Sequence, residues 1–248
     1  MDSRAIPQST ADVDRFRNEI SVHGWTTFRS THLIDLCQKA RSEYLIARRQ
    51  CELHPPGQVF SRTDLESGPW RKLAVGSTNG LGEPYAQLLQ TTYFLEGDRR
   101  FPALSELFTN LLKLRNLILG IDIEFGSLPE RDRFWNACRI HHYPVGGGFM
   151  TEHRDTYFPS ALEKSELPFL QIMALLSTKG TDFEEGGGFV RCDQGERVYF
   201  EDEAGIGTVV MFDGGVHHGV LDVNRSELLN FESDRGRVAA FVNVYEVR

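Results

Sequence analysis

Two histidine motifs in this sequence can hold a metal ion. His153 and Asp155 are separated by one residue, so in a β-strand both side chains point to the same face. A second source of imidazole lies much later, where His217 and His218 follow an apolar run and a pair of glycines. An isolated His-x-Asp pair is common by chance. Here it lies near the start of a predicted β region, with the later histidines near its end, and this order favours a metal site.

Two imidazoles and one carboxylate occupy one face of an octahedral ion, the arrangement found in non-heme iron(II) oxygenases. The remaining positions accept a bidentate 2-oxo acid and O₂. The doubled histidine leaves two candidates for the distal ligand. The His-x-Val pattern at His218 and Val220 selects His218, and His217 then points to the opposite face.

A 2-oxo acid with a second carboxylate also requires a buried cation, because an unpaired charge in a closed pocket is costly. The planar fork of an arginine suits a carboxylate best. Arg237 begins the last predicted strand, which fixes the direction of its side chain. Arg235 and Arg225 are competitors in a predicted loop.

The elements that must position these residues change character near residue 134. Apolar spacing before that point predicts a helix at 12–22, a strand at 25–28, a helix from Thr31 to about Cys51, a long turn-rich loop at 54–84, and helices at about 84–95 and 102–119. After it, short runs between glycine clusters predict eight strands at 134–143, 149–154, 168–177, 187–192, 197–200, 207–212, 217–223 and 237–246.

This layout predicts an α+β protein that is mainly β. A helical and loop region over 1–133 packs on a sandwich or jelly-roll core over 134–248, and the two form a single structural domain. Strands without intervening helices favour that architecture over a parallel sheet.

Composition excludes several classes of protein. The 248 residues carry a net charge of -8, and 40% of them are hydrophobic, with a mean hydropathy of -0.33. An acidic chain with scattered basic residues is not typical of a nucleic-acid binder. The absence of a long apolar run predicts no membrane association. Four dispersed cysteines predict free thiols, and a polar N-terminus without a signal-like segment adds to the expectation of a cytoplasmic protein.

The β half resembles the Fe(II)/2-oxoglutarate-dependent dioxygenase superfamily, with the spacing of its prolyl-hydroxylase-type branch. The resemblance covers about residues 134–248, and rests on the segment 142–155 (HYPVGGGFMTEHRD), the glycine run at 185–189, the strand at 209–212 with the following His218-Gly219-Val220, and Gly236-Arg237. The stretch between His218 and Arg237 is longer than in many members of the family.

The resemblance implies a double-stranded β-helix with supporting N-terminal helices. It implies that His153, Asp155 and His218 bind Fe(II), and that Arg237 and Tyr143 bind the distal carboxylate of 2-oxoglutarate. The implied reaction uses O₂, releases succinate and CO₂, and hydroxylates or otherwise oxidises an unactivated C–H bond. Asp155 occupies a position that the halogenating relatives leave vacant for chloride, so halogenation is not expected.

The substrate is harder to read from the sequence. Strand alternation puts Arg139 and His141 on the same inward face as Tyr143, and puts Gln171 on an inward face of another strand. These three either line the barrel or contact a small organic substrate, such as an amino acid or a secondary-metabolite intermediate. Residues 70–72 and Trp135 either close over the pocket mouth or pack at the surface. The oligomeric state is not predicted.

Two other functions remain open at this point. A cupin-like metalloenzyme would use the metal ligands without 2-oxoglutarate, and would not need Arg237 or Tyr143. A non-catalytic jelly-roll protein that binds a small ligand would need the metal-ligand pattern to be coincidental.

Overall fold

The computed structural model describes residues 9–78, 83–155, 169–192 and 195–246. Its helices are α1 (Thr10–His23), α2 (Thr31–Gln50), α3 (Asp64–Ser67), α4 (Pro102–Leu119) and α5 (Pro129–Asp132). Its strands are β1 (Trp25–Arg29), β2 (Leu53–His54), β3 (Trp70–Thr78), β4 (Tyr85–Phe94), β5 (Phe134–Pro144), β6 (Gly148–His153), β7 (Leu170–Leu175), β8 (Gly187–Arg191), β9 (Arg197–Val198), β10 (Thr208–Asp213), β11 (His218–Val223) and β12 (Gly236–Glu246).

The strands form two groups that are joined by β4. One group runs β10-β7-β12-β5 and the other runs β6-β11-β8-β9, with β4 hydrogen-bonded to both β5 and β6. Neighbouring strands are antiparallel except for the short β2–β3 pair. The sheet curls on itself as a double-stranded β-helix, so the predicted fold class is confirmed.

Alternation along β12 separates a helix-facing core from an interior lining. Val238, Ala240 and Val242 pack in the cluster that also contains the buried faces of α2 and α4, whereas Ala239 and Phe241 pack in a second cluster inside the barrel. The helices therefore cover the outer face of the β10-β7-β12-β5 group. The inner face is left to line a cavity.

The helix boundaries follow from local capping. Ser9 and Ser30 accept hydrogen bonds from the backbone N–H groups of Asp12 and Leu33, at the first turns of α1 and α2. Gly24 ends α1 in the left-handed region, with φ 78°. Among the described residues, no helix is long and apolar enough to cross a membrane. The four cysteines form no disulfide.

All eight strands predicted after residue 134 are present, and so are the helices and strand predicted before residue 54 and the helix at 102–119. Two predictions were wrong. The segment 84–95 is the strand β4 rather than a helix, and the expected loop at 54–84 contains β3. Both strands belong to the same sheet as the C-terminal ones. Residues 89–94 of β4 are all buried, because Phe94 packs in the helix-facing cluster and Leu89 packs in a cluster on the other face of the strand. Burial on both faces removes the alternation that marks a strand in a sequence.

The long connection between β11 and β12 is fixed to the rest of the molecule. The buried side chains of Arg48 and Gln90 donate to the carbonyl oxygen of Phe231. Arg48 also contacts Asp234 at 3.0 Å, and Arg71 contacts Glu232 at 3.0 Å. These contacts place the start of β12 despite the length of the connection.

Candidate metal centre and adjoining cavity

His153, Asp155 and His218 form a compact group of potential metal ligands. His153 ends β6 and His218 begins β11, and the two residues are paired in register. Nε2 of His153 lies 3.7 Å from one Asp155 oxygen, and Nε2 of His218 lies 3.5 Å from the other. One ligand atom from each residue lies within 4.8 Å of the others. All three metal ligands expected from the sequence therefore lie together in this cluster.

The backbone fixes which nitrogen of each imidazole faces the cluster. Nδ1 of His153 lies 2.8 Å from the carbonyl oxygen of Thr151, and Nδ1 of His218 lies 2.9 Å from that of Val216. A carbonyl oxygen only accepts, so each Nδ1 carries the proton and each Nε2 keeps a lone pair directed at the cluster. This is the arrangement that orients histidine ligands in metal sites. The donor set therefore fits a divalent ion such as Fe(II).

Asp155 is held as a carboxylate. Burial would raise the pKa of its carboxyl group, but the neighbouring side chains of His218, His153 and Gln171 hold that pKa below the usual value. The amide of Gln171 donates to Asp155, and its own oxygen accepts from Asn243 at 2.8 Å. The Asp155 backbone N–H donates to the carbonyl oxygen of Gly214 at 2.8 Å.

Gln171 was predicted from strand alternation as a contact for the substrate. It does line the cavity, but its described partners are Asp155 and Asn243. We therefore expect it to orient the Asp155 carboxylate. Substrate contact by Gln171 stays a prediction. Asn243 was missed because a single amide in a strand carries no spacing signal.

His217 lies away from the cluster. Its side chain is 40% exposed, and its Nε2 lies 3.7 Å from a carboxylate oxygen of Glu83. The alternation argument from the sequence placed it on the opposite face from His218, and its side chain does point away from the cluster.

A buried cation lies in the same cavity. Arg237 is 1% exposed, and its Nε donates to Glu201 at 2.6 Å. Its guanidinium lies over the ring of Tyr143, 5.1 Å from the ring centroid. Nη1 of Arg237 is buried and has no hydrogen-bond partner among the described residues. An unpaired buried N–H is costly. This atom is therefore suited to an anionic ligand.

Glu201 was not found from the sequence. It lies in a short 3₁₀ helix at Phe200–Asp202 and accepts from the backbone N–H of Gly188 at 3.1 Å as well as from Arg237. A Cβ at Gly188 would approach Nη2 of Arg237 to 2.9 Å and the ring of Phe200 to 2.3 Å. The glycine run that was noted in the sequence thus makes room for the arginine.

The competing arginines do not reach the cavity. Arg235 is exposed and pairs with Glu227 at 2.8 Å, and Arg225 is exposed. Tyr143 is buried beside Arg237, with its hydroxyl 3.9 Å from the sulfur of Met150. Burial raises the pKa of Tyr143, so its phenol stays protonated and can donate a hydrogen bond.

The cavity of about 320 Å³ connects these groups. The ring of Tyr85 stacks on His153 with centroids 4.1 Å apart, and Phe212 lies 4.6 Å from His218. The remaining wall mixes aromatic and aliphatic side chains, such as Met173 and Phe241, with polar ones, such as Gln87 and Thr91. A concave pocket with convergent polar groups is typical of a small-molecule site.

Arg139 and His141 both line this cavity, on the inward face of β5. Nη1 of Arg139 donates to the hydroxyl of Tyr245 at 2.7 Å. The His141 ring packs on Phe241 with centroids 4.6 Å apart, and its Nδ1 has no described partner. Burial, followed by the charges of Arg139, Arg237 and Lys72, lowers the pKa of His141 well below its usual value. The imidazole is therefore neutral.

The segment 70–72 and Trp135 were expected to close over the mouth or pack at the surface. Trp70 stacks on His54 and Phe60, in each case with centroids 4.7 Å apart. Trp135 packs against Tyr245. Lys72 lines the cavity itself. The sequence predicted a loop over this segment, so it did not place Lys72 in a strand.

No family model and no curated protein matches this chain. Solved structures do match, and the chain has the double-stranded β-helix fold of the 2-oxoglutarate- and iron(II)-dependent oxygenases.

One match is a prolyl 4-hydroxylase from Pseudomonas putida, with a TM-score of 0.56 at 17% identity over 95% of this chain and 99% of that one. The non-heme α-ketoglutarate-dependent epimerase SnoN from nogalamycin biosynthesis also has a TM-score of 0.56, at 12% identity over 96% and 84%. An oxidoreductase of the 2OG-Fe(II) oxygenase family from Burkholderia pseudomallei has a TM-score of 0.53, at 12% identity over 98% and 95%.

Proposed function

We propose that this protein is an Fe(II)- and 2-oxoglutarate-dependent oxygenase that oxidises a C–H bond of a small organic substrate. The observation that carries the proposal is the unpaired Nη1 of buried Arg237, which lies in the same cavity as the His153, Asp155 and His218 cluster. A metal-ligand cluster alone would suit many enzymes. A separate buried cation suits a ligand that is anionic at the end distant from the metal.

His153, Asp155 and His218 would hold the iron through two Nε2 atoms and a carboxylate oxygen. Arg237 and the hydroxyl of Tyr143 would bind the distal carboxylate of 2-oxoglutarate. When bound, the iron and 2-oxoglutarate supply activation of O₂ coupled to the release of succinate and CO₂. The backbone acceptors at Thr151 and Val216 hold the imidazoles in the tautomer that binds metal.

The remaining residues of the cavity would orient the substrate and exclude water. Tyr85 covers one face of His153, and Phe212 covers His218. Both rings shield the metal ligands from solvent. Hydroxylation, epimerisation and other oxidative outcomes share these requirements. We take hydroxylation as the first outcome to test.

Anaerobic addition of Fe(II) and 2-oxoglutarate tests the proposal. The expected result is a weak visible charge-transfer band, followed by succinate release when air is admitted. His153→Ala, Asp155→Ala and His218→Ala should each lose the band, because each removes one metal ligand. The matched control is His217→Ala, which should keep it.

Two outcomes would overturn the proposal. Metal binding without a 2-oxoglutarate-dependent band would favour a cupin-like metalloenzyme, and no metal binding would favour a non-catalytic jelly-roll protein. Loss of the band in His217→Ala with retention in His218→Ala would move the ligand by one residue.

A further inference from the structure

The cavity has a second cationic region, distant from Arg237. Lys72 from β3 and Arg139 from β5 both line it. Nζ of Lys72 lies 5.6 Å from the ring centroid of Tyr93, which is the register partner of Arg139. The guanidinium of Arg139 lies 5.9 Å from the ring centroid of Tyr245 and donates to its hydroxyl. Two tyrosines therefore hold the two cations at one end of the cavity, which we call the outer end.

These two cations have no carboxylate partner among the described residues. Three buried arginines outside this region do have one: Arg48 pairs with Asp234, Arg71 with Glu232 and Arg237 with Glu201. The buried Arg115 instead donates to the amide oxygens of Asn116 and Asn136. Nε of Arg139 is buried without an acceptor in the described chain.

The two charges also act on each other. Burial lowers the pKa of Lys72, Tyr245 opposes this, and Arg139 lowers it further. Like charges that converge in a partly buried site repel, and an incoming anion removes that cost. An anion bound at the outer end would therefore stabilise both charges.

The outer end is separate from the region of Arg237. Arg139 precedes Tyr143 by four residues on β5, and an extended strand rises about 3.3 Å per residue, so their Cα atoms are roughly 13 Å apart. Tyr143 is the register partner of Arg237. Tyr85, which stacks on His153, lines the same cavity as Arg139 and Lys72. The metal-ligand cluster therefore faces the cavity that contains the outer end.

We propose that the substrate is a small organic oxyanion whose charged group binds Arg139 and Lys72 at the outer end, while its body extends over Tyr85 towards the metal ligands. This inference rests on the proposed function and names the substrate class for it. A carboxylate and a phosphate monoester share the required chemistry. A cationic or neutral substrate would leave both cations uncompensated.

Matched sets of compounds test the charge requirement on several carbon skeletons at once. Each set contains a carboxylic acid, its primary amide and the corresponding phosphate monoester, with aromatic and aliphatic bodies of several lengths. The protein is loaded with Fe(II) and saturating 2-oxoglutarate under nitrogen, so that the site of Arg237 is filled and no turnover occurs. Binding is read from the rise in the thermal unfolding midpoint and titrated by calorimetry.

Acids or phosphate monoesters should bind, and their amides should not. Lys72→Gln and Arg139→Gln should each weaken anion binding by about tenfold or more, because each removes a charged hydrogen-bond donor. The affinity for 2-oxoglutarate should stay within about twofold, since neither residue contacts Arg237. Acids alone, or phosphate monoesters alone, would identify the source of the oxyanion.

Two further variants make the test more specific. Lys72→Glu supplies a carboxylate to Arg139 from within the chain, so it should abolish the preference for anions more completely than Lys72→Gln. Lys39→Gln removes an exposed charge on α2 and should change nothing. Lys72 contacts aromatic rings rather than an ion-pair partner, so Lys72→Gln tests the proposal even if Arg139→Gln fails to fold.

Amides that bind as well as acids, or anion binding that survives in both variants, would overturn the proposal. So would the failure of every compound to bind. These outcomes differ from failure of the proposed function: in that case 2-oxoglutarate itself would not bind the Fe(II)-loaded wild-type protein.

Discussion

The two ends of the cavity hold positive charge in different ways. At the inner end, which we define by Arg237, the guanidinium contacts Glu201 and keeps Nη1 for a ligand. At the outer end, Lys72 and Arg139 have tyrosines and ring faces as described partners but no carboxylate. The inner end is thus compensated before any ligand arrives, and the outer end is not. A preformed site suits a constant cosubstrate, whereas an uncompensated site makes affinity depend on the charge of the substrate.

The largest effect should come from removing the inner cation. Arg237→Ala leaves both Glu201 and the incoming carboxylate unpaired, and breaking a buried pair costs about 3–5 kcal/mol. We expect 2-oxoglutarate affinity to fall roughly a hundredfold or more. Arg237→Lys should recover part of it, because it keeps the charge but loses the planar fork. Calorimetric titration with 2-oxoglutarate measures both. Unchanged affinity in Arg237→Ala would remove the inner end from cosubstrate binding.

Tyr143→Phe should have a smaller effect in the same direction. It removes one hydrogen bond to a charged group, worth about 1.5–3 kcal/mol, and keeps the ring that supports Arg237. The same titration should show weaker 2-oxoglutarate binding, with oxyanion binding at the outer end unaffected. An equal loss at both ends would mean that Tyr143 acts through the overall packing of the cavity.

Replacing Glu201, the carboxylate that pairs with Arg237, should leave the inner cation uncompensated, as the cations of the outer end are. Glu201→Gln keeps a hydrogen-bond acceptor for Nε of Arg237 but removes the negative charge beside the incoming carboxylate. The free protein should unfold at a lower temperature, and 2-oxoglutarate should bind about tenfold more tightly, since a nearby like charge opposes binding. Thermal unfolding with and without 2-oxoglutarate checks both. Weaker binding in this variant would show that Glu201 mainly orients the arginine.

The smallest effect concerns pH. Burial lowers the pKa of Lys72, so its ammonium loses a proton at a lower pH than an exposed lysine does. Oxyanion affinity at the outer end should therefore fall by a few-fold as the pH rises from about 7 to about 10. Lys72→Gln should remove this dependence. The inner end relies on a guanidinium, which stays charged over that range, so 2-oxoglutarate binding should not follow the same curve. The same pH dependence of oxyanion binding and of 2-oxoglutarate binding would contradict the difference between the two ends.

The sequence predicted the metal-ligand cluster and the inner end better than the outer end. Their spacing within a predicted β region grouped the metal ligands His153, Asp155 and His218. The position at the head of a predicted strand selected Arg237. Glu201 was missed because an acidic residue in a turn-rich segment has no periodic signal. Alternation from Tyr143 placed Arg139 correctly on the inward face.

Lys72 was expected to close over the pocket mouth or pack at the surface, and its place in the cavity wall was not predicted because β3 was taken for loop. Turn residues at both ends of β3 hid it, and complete burial over residues 89–94 hid the partner strand β4. The outer end therefore depends on β-strand pairing between segments that are distant in the sequence. A local sequence pattern does not contain that information.

The arrangement of β12 has a consequence for how the protein is made. Along its whole length β12 pairs with β5, and over Ala239–Phe241 it also pairs with β7. It is the last of the described strands in chain order. During synthesis, residues 134–235 can leave the ribosome before the strand that joins them exists, and β5 and β7 then present open edges. Arg237, Asn243 and Tyr245 all lie on that strand, so the inner cation, the support for Gln171 and the partner of Arg139 are supplied together, after the strands from β1 to β11 have been synthesised.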